Sequence, residues 1–116
     1  MRIADSAGMP HKIMDASGIN YYASKVVSND GNWSVYLFFT DAGEIAYQKG
    51  IIESGASENP DEHPLSLVVN NETIISRPLT KDYANNAKNQ RMRAATIFIG
   101  SGTDGQEKAT RIIDSI

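Results

Sequence analysis

Apolar and polar positions alternate most clearly over residues 33–40. Trp33, Val35, Leu37 and Phe39 share one parity, and Ser34, Tyr36, Phe38 and Thr40 the other. A period of two predicts a strand. Because the second parity is half aromatic, the strand is expected at the centre of its sheet, covered on both faces. Residues 21–27 are rich in β-formers and predict a strand before it. The two are separated by Asn29-Asp30-Gly31-Asn32, and Asp-Gly is a strong hairpin signal because both central residues accept positive φ. After the central strand, Asp41-Ala42-Gly43 reads as a turn. Residues 44–52 read as a third strand, with Gly50 a bulge or an end. The three strands would form a meander.

Residues 53–64 read as a long acidic loop, because Gly55, Pro60 and Pro64 interrupt regular structure. Residues 65–69 and 72–76 predict a second hairpin around Asn70-Asn71, since Asn accepts the left-handed region. After Pro78 the pattern changes. Residues 80–93 have no β-branched residue beyond Thr80 and contain Ala84, Ala87 and Met92, which predicts a helix, although Asn85, Asn86 and Asn89 lower its propensity. The apolar run AATIFIG at 94–100 predicts a buried strand. From Gly105 onward, Ala109, Ile112, Ile113 and Ile116 recur at i, i+3, i+4 and i+7, the stripe of an amphipathic helix. Thr103 with Gln106, or Asp104 with Glu107, would make a capping box for it.

The first nineteen residues are mixed, with Gly8, Pro10 and Gly18 as breakers. They predict a loosely attached arm with a short helical turn near residues 11–16. Residues 20–116 then form one domain of five strands, helix, strand, helix. Strands first and helices late imply α+β. The simplest arrangement is a mainly antiparallel sheet of about six strands, meander plus hairpin, with the two C-terminal helices on one face.

Composition narrows the function more than the fold. A chain of 116 residues with ordinary apolar and charged fractions suits one globular domain. It has no cysteine, which removes disulfides, thiolate metal sites and cysteine nucleophiles. Residues 1–15 carry no long apolar run, which speaks against a signal peptide or a membrane span and favours the cytoplasm, although a mature secreted chain stripped of its signal would read the same. The net charge of −3 argues against a uniformly basic nucleic-acid binder. Charge is segregated, however. Residues 41–62 hold six acids (Asp41, Glu44, Glu53, Glu58, Asp61, Glu62) against Lys49, a net −5. Residues 77–93 hold five bases (Arg77, Lys81, Lys88, Arg91, Arg93) against Asp82, a net +4. Such polarity either steers a charged partner or is ordinary solvated surface.

The run Gly100-Ser101-Gly102-Thr103-Asp104-Gly105 matches G-x-G-x-x-G between a predicted strand and a predicted helix. Glycines let backbone approach a phosphate, and a helix start presents unpaired N–H groups. The dinucleotide reading nevertheless fails: eleven residues after Gly105 leave no second strand for a βαβ unit, and Asp104 sets a negative charge at the helix start. What remains is a small anion site built from Gly100, Ser101, Gly102, Thr103, Gly105 and Lys108, weighed against a glycine turn that only caps a helix. No metal site is expected. The histidines are His11 and His63, and Asp61-Glu62-His63 in a Pro-bounded loop lacks ligand spacing. No G-x-S-x-G elbow occurs, and His63 would be the one reasonable base, so no enzyme and no cofactor are expected. Lys81, Lys88, Arg91 and Arg93 with Tyr83 could attract phosphate, but a basic helix alone does not read sequence.

Trp33, Tyr36, Phe38, Phe39 and Tyr47 fall on predicted strands and belong mostly to a core. With helices on one face only, Tyr36, Phe38 and Tyr47 would be left exposed as a partner or self-association surface. The run Asn32-Trp33-Ser34-Val35, followed late by a strand, a turn and a terminal helix, resembles the element pattern of the invasion-associated locus B proteins. That family's characteristic cysteines are absent here, and the resemblance carries no residue role and no function. The leading expectation is a non-enzymatic binding module of the inhibitor, immunity or adaptor kind, acting on a protein partner. Its candidate contacts are Glu53, Glu58, Asp61 and Glu62 in the acidic loop, with Tyr36 and Phe38. Homodimerisation through a sheet edge or the aromatic face is compatible with the same features.

Overall fold

In a computed structural model, residues 1–5 and 11–116 are described. The chain is α+β, with seven strands in two antiparallel sheets and three helices among these residues. The expectation of about six strands and late helices is met in outline, but the strands divide over two sheets and a third helix comes early.

The first sheet joins β1 (Arg2–Asp5), β2 (His11–Asp15), β5 (Leu65–Val69) and β6 (Glu72–Arg77) in the order β2-β1-β5-β6. The expected loose arm is therefore replaced by two strands. Ile3 is fully buried and lies opposite both Met14 and Leu67, so β1 is an interior strand. Gly8 and Pro10 lie outside the described residues. A 3-10 turn at Ala16–Gly18 follows β2, in place of the helical turn expected slightly earlier. The β5–β6 hairpin forms as expected, with Asn70 and Asn71 at φ 50° and 65°.

The second sheet joins β3 (Lys25–Asn29), β4 (Asn32–Phe38) and β7 (Ala94–Ser101), with β4 central. Asp30 and Gly31 make the expected hairpin turn, at φ 52° and 78°. The other neighbour of β4 is β7, so the predicted meander does not exist. Its third strand is a helix, α1 (Asp41–Ser54). The Thr40 hydroxyl accepts the Gly43 N–H at 3.1 Å, and Asp41 and Glu44 place negative charge in the first turn, where the helix dipole favours it. The buried positions are Gly43, Tyr47, Gly50 and Ile51, which lie at i, i+4, i+7 and i+8. Both glycines are required by close approach. A Cβ on Gly43 would sit 1.9 Å from the Gly18 carbonyl oxygen, and one on Gly50 would sit 2.6 Å from Ile13 Cγ2. Gly55 ends the helix in the left-handed region at φ 92°.

The remaining helices are α2 (Lys81–Asn89) and α3 (Gly102–Asp114). Thr80 caps α2, which ends short of the expected Arg93. In α3 the helix begins three residues earlier than expected. Its N-cap is Ser101, so Thr103 and Asp104 lie inside the helix and neither proposed capping box forms. One apolar core unites both sheets and all three helices, with Ile3, Leu37, Phe39, Tyr47, Ile51 and Ile112 fully buried. Among the described residues no helix is long and apolar enough to cross a membrane.

Candidate functional site

The two faces of the β3-β4-β7 sheet differ. Helix α3 packs on β4 and β7, where Val35, Leu37, Ala95 and Ile99 are buried with Ala109 and Ile112. The opposite parity carries Ser34, Tyr36 and Phe38. Across the ladder Ser34 lies opposite Val27 and Phe98, and Tyr36 opposite Lys25 and Thr96, so these residues share the outer face. Tyr36 and Phe38 are half-buried with ring centroids 6.4 Å apart, and Phe98 keeps 41% of its surface exposed. The expectation that β4 is central holds, whereas cover on both its faces does not. Tyr47, the third aromatic expected on this face, is instead buried on α1 with its ring 4.8 Å from that of Phe39.

Two further aromatics stand at the edge of this sheet beside Phe38. The strand expected over residues 21–27 begins only at Lys25, because side chains hold the preceding segment as a turn. Asn20 Oδ1 accepts the Tyr22 and Ala23 N–H groups at 3.0 and 3.3 Å. The Asn20 N–H donates to the Phe38 carbonyl at 2.7 Å, and the Phe38 N–H donates to Ser24 Oγ at 3.0 Å. The turn projects Tyr21 and Tyr22, whose rings meet edge to face at 5.5 Å, and Tyr22 is 95% exposed. Cations border the aromatics. Lys25 is exposed next to Tyr36, and the Arg77 guanidinium lies 4.8 Å from the Phe98 ring centroid while its Nε donates to the Phe98 carbonyl at 3.0 Å. Neither cation has an ion-pair partner among the described residues.

The acids are placed elsewhere. Glu53 lies in the last turn of α1 and pairs with Lys49 at 3.9 Å, Glu58 forms an ion pair with Lys88, and Asp61 and Glu62 are exposed on a 3-10 turn at Pro60–Glu62. Across the same helices Glu44 lies 3.8 Å from Arg91, and Gln48 Nε2 donates to the Lys88 carbonyl at 3.1 Å. The acidic and basic segments thus pack on one another through α1 and α2, and part of the charge polarity is neutralised internally. The four acids are not brought to Tyr36 and Phe38. His63 points the other way from any exposed role: its Nδ1 meets the buried carboxylate of Asp5 at 3.0 Å, and its ring lies against Gly55.

In the glycine turn, a Cβ on Gly105 would lie 2.4 Å from both the carbonyl carbon and oxygen of Gly100, so this pair lets α3 rest on β7 backbone to backbone. Gly102 has open space around it and adopts φ 64°. Its N–H donates to the Gly31 carbonyl at 2.9 Å, and Ser101 Oγ donates to Asn32 Oδ1 at 3.0 Å, tying the turn to the β3–β4 hairpin. Thr103 is exposed, and Lys108 pairs with Asp104 at 3.1 Å. At the far end of α3, Arg111 Nη2 donates to Glu72 at 2.7 Å, and this partner holds the Glu72 carboxyl below its usual range. Among the described residues no three His, Asp or Glu side chains group as metal ligands.

Sequence reasoning missed Phe98, Val27, Lys25, Tyr21 and Tyr22. The signal for Phe98 was present but weak: in AATIFIG the alternation sets Ala95, Ile97 and Ile99 against Thr96 and Phe98, and an outward phenylalanine conceals it. The chain has no significant match among protein-family models, curated proteins or solved structures, so the resemblance in element pattern has no family match behind it.

Proposed function

We propose that the chain is a non-enzymatic protein-binding module of the inhibitor, immunity or adaptor kind, and that it binds through the outer face of the β3-β4-β7 sheet. One observation carries this reading: α3 covers one side of that sheet, while on the other side Phe98 stays exposed next to the half-buried Tyr36 and Phe38. Aromatic side chains gathered on an open surface are the residues that dominate protein interfaces. The flanking Lys25 and Arg77 fit a partner whose apolar patch is bordered by carboxylates. Glu53 and Glu58 have partners within the fold, which leaves Asp61 and Glu62 as the acids most available to a second contact. The anion reading of residues 100–105 draws no support from the geometry, because the glycines there serve packing and a positive φ.

The test compares variants as baits in lysate from the source organism. The parent should retain one stoichiometric protein, and Tyr36→Ser with Phe38→Ser should lose it while folding normally by circular dichroism. Loss of one hot-spot aromatic typically weakens binding by about thirtyfold. Retention by the double variant, together with loss in Asp61→Asn with Glu62→Gln, would move the interface to the acidic turn.

A further inference from the structure

A cavity of about 250 Å³ lies where the two sheets part. Strands β6 and β7 are both edge strands, one in each sheet, and they border this gap. Leu65, Leu67 and Ile75 of the first sheet form one wall, at alternate positions, so the cavity lies on the face of that sheet. From β7 the consecutive residues 95–98 all take part, so there the cavity lies along the edge of the strand. Leu79 and Tyr83 close the side between the sheets, and Tyr47 is at the buried end.

Polar groups are few, and their directions are set. Burial, reinforced by the neighbouring Tyr83 phenol, pushes the Tyr47 phenol well above its ordinary value. The Tyr83 hydroxyl is directed at the Ala94 carbonyl, a long contact of 3.5 Å. Neither phenol therefore carries charge near neutrality. On the open edge of β7 the Ala94 carbonyl is met by Tyr83 and the Phe98 carbonyl by Arg77, while the Arg93 carbonyl turns the other way, to the Phe39 N–H of the extended β4 segment. Alternation along an antiparallel strand then turns the N–H and C=O of Thr96 toward the cavity, between those two contacts. Arg77 stands at the rim with its Nε fixed on the Phe98 carbonyl. Its two Nη groups have no carboxylate partner among the described residues.

We propose that this cavity binds a small apolar carboxylate, with its hydrocarbon body between the sheets and its carboxylate at the rim on the Arg77 guanidinium and the Thr96 N–H. The size sets the class. At roughly 30 Å³ for each water-sized group, 250 Å³ holds about eight heavy atoms, an octanoate-like chain or a phenylpropionate-like body and nothing as large as a nucleotide. The charge sets the head group. A guanidinium whose two Nη groups have no carboxylate partner among the described residues, beside a backbone N–H, matches a carboxylate; a neutral head would accept from those donors without the charge-assisted part, and a cationic head would be repelled. The apolar wall excludes a free inorganic anion as the natural occupant, because such an ion gains nothing from Leu65, Leu67 and Ile75.

Octanoate is the probe, followed by amide chemical-shift titration of the full chain. Binding should saturate, with the largest shifts at Thr96, Phe98, Leu79 and Tyr83. Octanamide, equal in shape and uncharged, should bind the parent at least about tenfold more weakly, the size of effect expected when a charge-assisted contact is lost. Arg77→Gln should weaken octanoate by a similar factor and leave octanamide unchanged. Tyr36→Ser with Phe38→Ser, which removes the sheet-face aromatics, should not alter octanoate binding. The proposal is overturned by an absence of saturable octanoate binding at millimolar concentration, by equal affinity for octanoate and octanamide, or by shifts centred away from β7. Because the octanamide comparison uses the parent chain, it decides the matter even where Arg77→Gln is poorly folded.

Discussion

Replacing Gly105 by alanine tests what the glycine-rich turn is for. A Cβ there would lie 2.4 Å from the carbonyl carbon and oxygen of Gly100 and 3.1 Å from its Cα, where ordinary contact begins at 3.4 Å. Helix α3 would have to withdraw from β7 by roughly 1 Å, and the opposing atoms are strand backbone already held by β4, so no side chain can rotate out of the way. Overpacking of this kind costs about 3 kcal/mol at the upper end of the usual range. Exchanging a helical glycine for alanine gives back about 1 kcal/mol. The net loss is about 2 kcal/mol, or a fall in Tm of about 8 °C for a chain of this size. Gly102 provides the control, since no atom lies within 4 Å of its added Cβ and only its φ of 64° is at issue. Gly102→Asn should therefore be close to neutral, because asparagine accepts the left-handed region. Urea unfolding with matched m-values measures both. A Gly105→Ala variant as stable as the parent, or a Gly102→Asn variant less stable than Gly105→Ala, would refute the packing account of this turn.

Three further perturbations follow from named contacts. Thr40→Ala removes the hydroxyl that accepts the Gly43 N–H and should cost about 1 kcal/mol in urea unfolding, while Thr40→Ser should restore most of it. Tyr47 is pushed above the ordinary phenol value of 10.0, so its contribution to stability is complete below pH 10. It declines as the pH rises further, because the unfolded chain then ionises a tyrosine that the folded chain holds neutral. Tyr47→Phe should flatten that alkaline decline, and unchanged slopes in parent and variant would contradict it. Glu58→Gln removes an exposed ion pair with Lys88 and should change stability by less than about 1 kcal/mol, with the difference vanishing in high salt.

Legibility in the sequence followed how each element advertises itself. The two tight hairpins were readable because Asp30-Gly31 and Asn70-Asn71 state their backbone geometry directly. Strand β4 was readable because its alternation is complete. Helix α1 was not, because two of its four buried positions are glycines that carry no hydrophobic signal, while Ile45 and Ile52 are exposed and blur the stripe. In sequence Gly43 reads as part of a turn and Gly50 as a bulge or a strand end, whereas their role is to let α1 lie directly on Gly18 and Ile13. The N-terminal strands were missed because β1 is only four residues long and its partners are β2 and the distant β5, a pairing that no local pattern announces. Tyr36 and Phe38 were legible as an open aromatic pair once helices were assigned to one face. Phe98 and Arg77 joined them only through the β4–β7 register and the gap between sheets. The charge polarity was also legible, but its neutralisation was not, since Glu58 and Lys88 meet only after α1 and α2 pack.

The most direct test of the central claim is amide hydrogen exchange of the parent chain with and without the protein it retains. The account predicts new protection over residues 20–38 and 94–98, the strands and turn that carry Tyr22, Tyr36, Phe38 and Phe98, with residues 53–62 unchanged. Protection confined to residues 53–62, with the sheet face exchanging as in the free chain, would contradict it.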